Sequence, residues 1–495
     1  MIKYLKKFKL TSQYEEYINS DIAVLPNVSL ITSNNTVRYN SNYLKFTAQQ
    51  DNSTISLTSK TSPDIKYSLN GGAWTQWDYS AITLNTGDTV RMKGNNSSGF
   101  GFNEEGDCNQ FQMTGTISAS GNIMSLLYED DFERKITIPC ESCFSLMFSD
   151  CTSLTTAPEL PATTLASSCY SNMFSGCTNL TTAPELPATT LANDCYGGMF
   201  YNCTSLTIVP ELRATVLADD CYDNMFYGCT NLITAPKLHA TTLADYCYSS
   251  MFADCTALTI APELPATSLA DYCYYGMFQG CTSLTTAPKL PATTLANSCY
   301  IHMFEGCTHL ITVPELPATA LISNCYTYMF YGCTSLTTAP ELPATTLAIA
   351  CYSYMFRGCT SLTAAPELPA TTLASSCYNA MFYDCTGLTT APELPATTLA
   401  NNCYYDMFKG CTSLTTAPEL PATTLANYCY YGMFYGCTKL NYIKMLATNI
   451  SATNCLRYWV NGVASTGTFI KHPNMTSLPT GISGIPSGWT VRDAA

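Results

Sequence analysis

Residues 169–194 read CYSNMFSGCTNLTTAPELPATTLAND, and residues 195–220 read CYGGMFYNCTSLTIVPELRATVLADD. The second stretch repeats the first with its cysteines, aromatic residues and leucines in register. Working outward, cysteines stand at a constant interval of 26 residues from Cys143 to Cys455, thirteen in all. A second series of twelve, Cys151 to Cys437, follows eight residues behind. A fixed period of this length is the mark of a repeat architecture. One such unit cannot bury its apolar face alone and must stack on its neighbours, so most of the chain reads as a rod.

Within the unit, Cys195, Tyr196, Met199, Phe200 and Cys203 fall at i, i+1, i+4, i+5 and i+8. This spacing predicts a two-turn helix with one apolar stripe. The residue before the second cysteine is Gly, Asn or Asp, for example Gly176, Asn202 and Asp254. These residues tolerate a left-handed backbone and suit a helix C-cap. The pair before the first cysteine is rich in Asn, Asp and Ser, as N-caps are. The extended LTTAPELP stretch predicts a short parallel strand that pairs with the next unit.

The motif F-x-G-C-T-S-L-T-x-x-x-x-L-P, carried by Phe174–Leu180 and Phe330–Leu336, resembles the BspA-type leucine-rich repeats of gut bacterial surface proteins. The likeness covers about residues 140–463. It implies a leucine-rich-repeat-type α/β solenoid of 26-residue coils, a scaffold rather than an activity. The last unit, Cys455–Val463, replaces Tyr, Met, Phe and the second cysteine, as expected of an end cap. Residues 1–40, with KFKLTSQYEEYI and PNVSLI, resemble the leaders of structural proteins from crAss-like gut phages. That likeness implies a virion protein whose N-terminal region meets other virion proteins.

Four segments are expected: a leader over 1–42, an Ig-like β-sandwich over 43–127, the solenoid over 128–463 and a cap over 464–495. The leader carries a short helical stretch, Gln13–Ile18, and a hairpin across Asn34-Asn35. YLKFTAQ, STISLTS, IKYSLN, AITLN, TVRMKG and FQMTGTIS are alternating runs separated by turn signals at Asn70-Gly71-Gly72 and Asn85-Thr86-Gly87. ITIPC, at 136–140, reads as a first degenerate coil.

Only 12% of residues are charged and the net charge is −14. An acidic, sparsely charged surface argues against a nucleic-acid partner. The lysine-bearing N-terminus is not followed by an apolar core, and no later segment is apolar for ~18 residues, so neither an export signal nor membrane insertion is expected. The 27 cysteines read as free, buried small hydrophobes. Eight residues of helix would hold two thiols ~12 Å apart, too far to bridge. No metal and no cofactor are expected. The four histidines are scattered, and no Cys-x-x-Cys pair occurs in the repeats. His239, His302, His309 and His472 stand beside no nucleophile or paired acid at a useful spacing, so an enzyme is not expected.

Across the copies the framework barely changes. Change concentrates at the pair before the first cysteine, the pair after the tyrosine and the residue after the phenylalanine. Tyr, Ser, Asn, Asp and Gly dominate there, the mixture that antibody paratopes use. Candidate binding residues on this ridge are Tyr246, Tyr272, Tyr275, His302, Tyr328, Tyr354, Arg357, Tyr405, Lys409, Tyr428 and Tyr431. Drift of exposed positions explains polar variety, but it explains so many tyrosines less well. A second ladder is acidic: Glu159, Glu185, Glu211, Glu263, Glu315, Glu341, Glu367, Glu393 and Glu419, interrupted by Lys237 and Lys289. It reads as a solvated edge rather than a calcium site. The expected function is non-enzymatic: a phage virion component, homo-oligomeric or not, that recognises a host cell-surface protein or glycan. A bacterial surface adhesin and a structural spacer without ligand are the alternatives.

Overall fold

The computed structural model describes residues 31–33, 36–38, 42–97, 99–100 and 108–495. The helical stretch expected at Gln13–Ile18 lies outside them. Strands β1 (Ile31–Ser33) and β2 (Thr36–Arg38) pair antiparallel with Ser33 opposite Thr36, the hairpin expected across Asn34-Asn35.

Short alternating strands follow: β3 (Leu44–Ala48), β4 (Ser53–Thr58), β5 (Lys66–Leu69), β6 (Thr75–Gln76), β7 (Ile82–Leu84), β8 (Thr89–Lys93), β9 (Gln110–Thr114) and β10 (Ile117–Ser120). The FQMTGTIS run, expected as one strand, is two. Gly115, at φ +80°, turns the chain between them, and a Cβ there would meet the Ser53 side chain. After β10 comes a single helical turn, α1 (Ser125–Tyr128). One sheet has the order β7-β4-β9. The other runs β11-β10-β3-β8-β5-β6, and β11 (Leu154–Thr156) belongs to the first complete coil. β10 pairs with it in parallel. The β-rich segment is therefore joined to the repeats edge to edge. Its core continues into theirs: Phe46 packs on Phe111, Phe111 stacks on Phe148 at 5.3 Å, and Phe148 on Phe174 at 5.4 Å. Without this junction the first coil would expose its core and leave its backbone groups unpaired.

The segment expected to be helical is not. It is a chain of turns with a left-handed residue at every fourth position: Ser168 (φ 53°), Asn172 (φ 53°) and Gly176 (φ 72°) in one coil, Asp194, Gly198 and Asn202 in the next. Alternate amides point along the rod. Tyr170 donates to the Cys195 carbonyl (3.0 Å), Asn172 to Gly197 (2.8 Å), Phe174 to Met199 (2.9 Å) and Gly176 to Tyr201 (2.7 Å). The amides between them close local turns, as Met173 does on Tyr170 and Cys177 on Phe174, both at 3.1 Å. An α-helix needs an unbroken right-handed run, so a left-handed residue in every four forbids it. Spacing of i, i+4 and i+8 is shared by a helix stripe and a four-residue turn period, so the apolar pattern alone does not separate them. The Cys-Tyr and Met-Phe pairs all point inward and are at most 2% exposed across the copies from Cys169 to Cys429.

The expected strand is also reduced. Over most coils the TTAPELP segment makes isolated parallel bridges, Thr156 to Thr182 to Ile208, and a second series such as Thr190 to Val216. Pro184 and Pro187 donate no amide, which ends each ladder after one residue. Strand length returns only at the ends of the stack, in β11 and in β12 (Tyr442–Met445), which begins a parallel sheet with β13 (Thr468–Lys471) and β14 (Thr490–Asp493). Trp459 closes the last coil. It is fully buried against Tyr430 and Phe434, and its indole N–H donates to the Gly484 carbonyl at 2.9 Å.

The 25 ladder cysteines are free. The second series ties successive coils together. Cys177 Sγ donates to the Phe148 carbonyl, Cys203 to Phe174 and Cys281 to Phe252, at 3.0–3.1 Å. Each thiol thus hydrogen-bonds a carbonyl of the coil before. Burial pushes the Cys203, Cys255 and Cys437 thiols up to about 12. Unfolded thiols ionise near ~8.5. The unfolded chain therefore sheds protons first, and stability should fall as pH rises from about 8.5 towards 12. Denaturant midpoints measured at pH 7, 9 and 10 should decline in that order, and native protein should resist alkylation at pH 9 while denatured protein takes up nearly one label per cysteine. Rapid native labelling would contradict the burial.

A stacking rule governs the residue before the second cysteine. Wherever Asp or Asn stands there, the next coil carries Gly: Asp150 and Gly176, Asn202 and Gly228, Asp254 and Gly280, Asp384 and Gly410. The Asx oxygen lies where the next Cβ would be, 2.1 Å from it at Gly228. Gly306 instead faces Gly280 with more than 3.5 Å to spare. Gly228→Asn should therefore cost about 1–3 kcal/mol through overpacking, although Asn accepts φ +69°. Gly306→Asn should be nearly neutral, since it recreates the Asn202–Gly228 arrangement. Equal chemical denaturation midpoints for the two variants would refute the rule.

Candidate functional site

The outer surface of the turn face carries the variable positions. Its left-handed residues and those between them alternate outward, and coil stacking brings equivalent side chains into columns. Tyr246 stacks on Tyr272 with ring centroids 4.6 Å apart, His302 on Tyr328 at 4.7 Å, and Tyr328 on Tyr354 at 4.6 Å. Tyr275 joins the two runs, tilted on Tyr272 at 6.2 Å and edge-on to His302 at 5.4 Å. Tyr246, Tyr272, Tyr275, His302, Tyr328 and Tyr354 are thus one continuous aromatic band. The spacing of 4.6–4.7 Å is that of neighbouring strands, so each stacked ring is braced by a ring of an adjacent coil, and Tyr328 by rings on both sides.

Arg357 lies 4.2 Å from the centre of the Tyr383 ring, and also over Tyr331 and Tyr354. Lys409 lies over Tyr383 and Tyr435 and pairs with Asp406 at 3.1 Å. These cations bind aromatic faces, which holds them while leaving charge at the surface. His302 Nδ1 is paired with the Glu305 carboxylate. A second group sits towards the C-terminal end: Tyr405 stacks on Tyr431 at 4.6 Å, and Tyr428 tilts against Tyr431 at 6.1 Å. Ala350, Ser376 and Ala380 occupy the equivalent positions between the two groups and interrupt the tyrosine columns, and the link between the groups runs instead through Arg357 and Lys409, which share the Tyr383 ring. Tyr246 is 39% exposed; the others are half-buried by their stacking partners.

The variable columns are not all outward. Ser171, Ser249, Thr327 and Ser353, two residues after the first cysteine, are buried. Asp223, Tyr275 and Tyr405 at that position are half-buried and reach the surface. Two buried oxygens in these columns, Asn379 Oδ1 and Asp406 Oδ1, have no hydrogen-bond partner within the protein.

The acidic ladder lies on a different side, and its glutamates are exposed. Glu211 pairs with Arg213 at 3.0 Å, Glu419 with Lys444 at 2.9 Å, and Glu159 accepts from Asn42. Among the described residues, no three His, Cys, Asp or Glu side chains gather as a metal site would require.

One feature escapes a reading of the sequence by residue type. An open depression of about 570 Å³ lies near the N-terminal end of the turn face, lined by Ser171, Asn172, Ser175, Asp194, Gly197, Gly198, Tyr201, Asp223, Asn224 and Tyr227. Gly197-Gly198 makes it, by removing two side chains between fuller coils. The sequence does carry the signal: no other copy has two glycines after the tyrosine. Burial pushes the Asp223 carboxyl up to about 6, and Asp194 and Asp220 are raised for the same reason.

The repeats match the profile of the BspA type leucine rich repeat region (6 copies), in overlapping stretches that run from 128–259 to 323–456 and cover well over half of the chain. The chain belongs to the BspA-type leucine-rich repeat family. The F-x-G-C-T-S-L-T motif is thereby placed: in this BspA-type chain its glycine is the left-handed residue that closes the turn face, and its cysteine is the donor to the preceding coil. A search among curated proteins returns no match.

Proposed function

We propose that this BspA-type protein is a non-enzymatic recognition component of a phage virion, whose repeats form a solenoid that binds the surface of a bacterial host through its tyrosine-rich turn face. The observation that carries this reading is the unbroken aromatic band from Tyr246 to Tyr354, two runs stacked at 4.6–4.7 Å and joined through Tyr275, on a framework that barely varies. Rigid aromatics offer contact area at low entropic cost, which suits a surface that must bind without rearranging. The β-rich segment, an Ig-like sandwich in this reading, seals the first coil and would hold the rod to neighbouring virion proteins. Twenty-five ladder thiols in reduced form suit assembly in a reducing cytoplasm. The same scaffold would serve a bacterial surface adhesin, and mass spectrometry of purified virions separates the two. The functional test is direct: labelled full-length protein should bind intact host cells saturably and block adsorption of the phage. Protein that is folded yet binds no bacterial surface, glycan or protein would leave only a spacer.

A further inference from the structure

The depression at Gly197-Gly198 lies outside the aromatic band and has a different chemistry. Its depth is enforced. A Cβ on Gly197 would stand 1.8 Å from Asp194 Oδ1, and one on Gly198 would stand 2.3 Å from Asn172 Oδ1. The glycines therefore let two polar side chains fold over the backbone and leave the space above them open. Gly198 also needs its left-handed backbone, at φ +58°. On one side Tyr201 stacks on Tyr227 at 4.8 Å. The stack runs along the rod, so the other face of Tyr201 looks towards the preceding coil, where the equivalent residue is the small Ser175. An aromatic face thus borders the cavity.

The polar lining is mixed. Asp194 and Asp223 bring carboxylate oxygens and Asn172 and Asn224 side-chain amides. Asn224 Nδ2 already donates to Asp223 Oδ2 at 2.5 Å and Asn172 Nδ2 to Ser171 Oγ at 3.1 Å, so the lining is partly paired within itself and holds its groups in place. No lysine, arginine or histidine lines the space. A flat apolar ring face beside several acceptors and donors at different heights matches a pyranose, which presents C–H groups on one face and hydroxyls around its edge. Hydroxyls donate to carboxylates in strong charge-assisted bonds. Acidic sugars are disfavoured, because a third carboxylate would enter a site that already holds two without a cation.

We propose that this depression is a saccharide subsite for a neutral or amino pyranose, with the sugar ring on Tyr201 and its hydroxyls on Asp194, Asp223, Asn172 and Asn224. It deepens the recognition reading, on which it rests, by naming a ligand class and a place for it apart from the aromatic band. A polyvalent surface glycan could then engage the rod at two points, and linked weak contacts gain strength by effective concentration.

The experiment uses the full chain and ligand-observed saturation-transfer NMR with four probes: methyl glucoside, methyl galactoside, glucosamine and glucuronate. At least one neutral or amino sugar should receive saturation, and glucuronate should not. Asp223→Asn keeps the shape and removes the charge; Tyr201→Ser removes the platform. Each should weaken the observed binding at least tenfold, while Lys439→Ser, exposed far along the rod and outside every candidate position, should leave it unchanged. If Tyr201→Ser disturbs the coil by circular dichroism, the isosteric Asp223→Asn still decides. Silence from all three uncharged or amino probes overturns the subsite, as does binding that survives Asp223→Asn, or glucuronate binding as well as the others. Cell binding measured beside it keeps the two ideas apart. Cells held with no sugar at the depression would remove the subsite alone; sugar bound with no attachment to cells would remove the host-surface reading alone.

Discussion

Replacing Phe278 by alanine should cost the protein about 3–5 kcal/mol and break its melting curve in two. Phe278 is fully buried and stacks between Phe252 at 5.9 Å and Phe304 at 5.7 Å. Its loss opens a cavity in the middle of a ring ladder that runs the length of the stack. The neighbours cannot collapse into it, because each is fixed by its own coil's hydrogen bonds to the next, Phe252 to Met277 and Phe278 to Met303 among them. Coils contact only the coils beside them, so their coupling is local. Calorimetry should therefore show the N-terminal and C-terminal halves unfolding separately, where the parent shows closer coupling. One cooperative transition, shifted as a whole, would mean that the stack couples over a longer range than nearest neighbours.

Replacing Tyr272, Tyr275, Tyr328 and Tyr354 together with serine should abolish attachment to host cells while leaving the fold in place. Interface tyrosines of this kind carry about 2 kcal/mol or more each where they act as hot spots. Two such residues already amount to a loss of about a thousandfold in affinity. The folding cost should be smaller than for a core residue, since these rings are half-buried and pack on one another rather than in the interior. Far-ultraviolet circular dichroism establishes the fold, and cell-binding isotherms read the effect. A folded quadruple variant with unchanged affinity would move the binding face to the glutamate side or to the β-rich segment.

Much of the architecture is legible in the amino-acid order alone. The 26-residue interval locates every coil, and the departure at Cys455–Val463 locates the end. The inward orientation of Cys, Tyr, Met and Phe follows from their constancy, and all four are buried. The secondary structure of the unit is harder to read, for a definite reason. Apolar pairs at i and i+4 fit a helix of 3.6 residues and a turn repeat of four. The decisive clue is the other lattice: Asp194, Gly198 and Asn202, also four apart, drawn from residues that accept positive φ. One left-handed site can be a cap; three in succession are a backbone. Strand content is easily overestimated because Pro184 and Pro187 look like turn signals, when their missing amides also limit pairing to a single bridge. The candidate tyrosines can be picked out singly, but their arrangement cannot, because it depends on which copies stand next to one another. The depression at Gly197-Gly198 shows the same limit. It is made by an absence, and a search for large exposed residues passes over it.

The pairing of Asx with Gly in successive coils also bears on how such a chain can change length. Nearly identical repeats invite loss or gain of whole units during replication. Removing residues 169–194 would seat Asn202 on Asp150, and removing 221–246 would seat Asp254 on Asn202, each a collision of the kind that Gly176 and Gly228 now prevent. Removing 195–220 would seat Asn224 on Asn172, where Gly198 now stands. Excising 299–324 or 325–350 brings only glycines together at the residue before the second cysteine. Excising 351–376 seats Asp384 on Gly332, much as it now sits on Gly358. The rod is thus edited freely in its middle and hardly at all near its base. Lineages that vary its reach should do so there, reshuffling the aromatic band while the depression beside the β-rich segment is inherited intact.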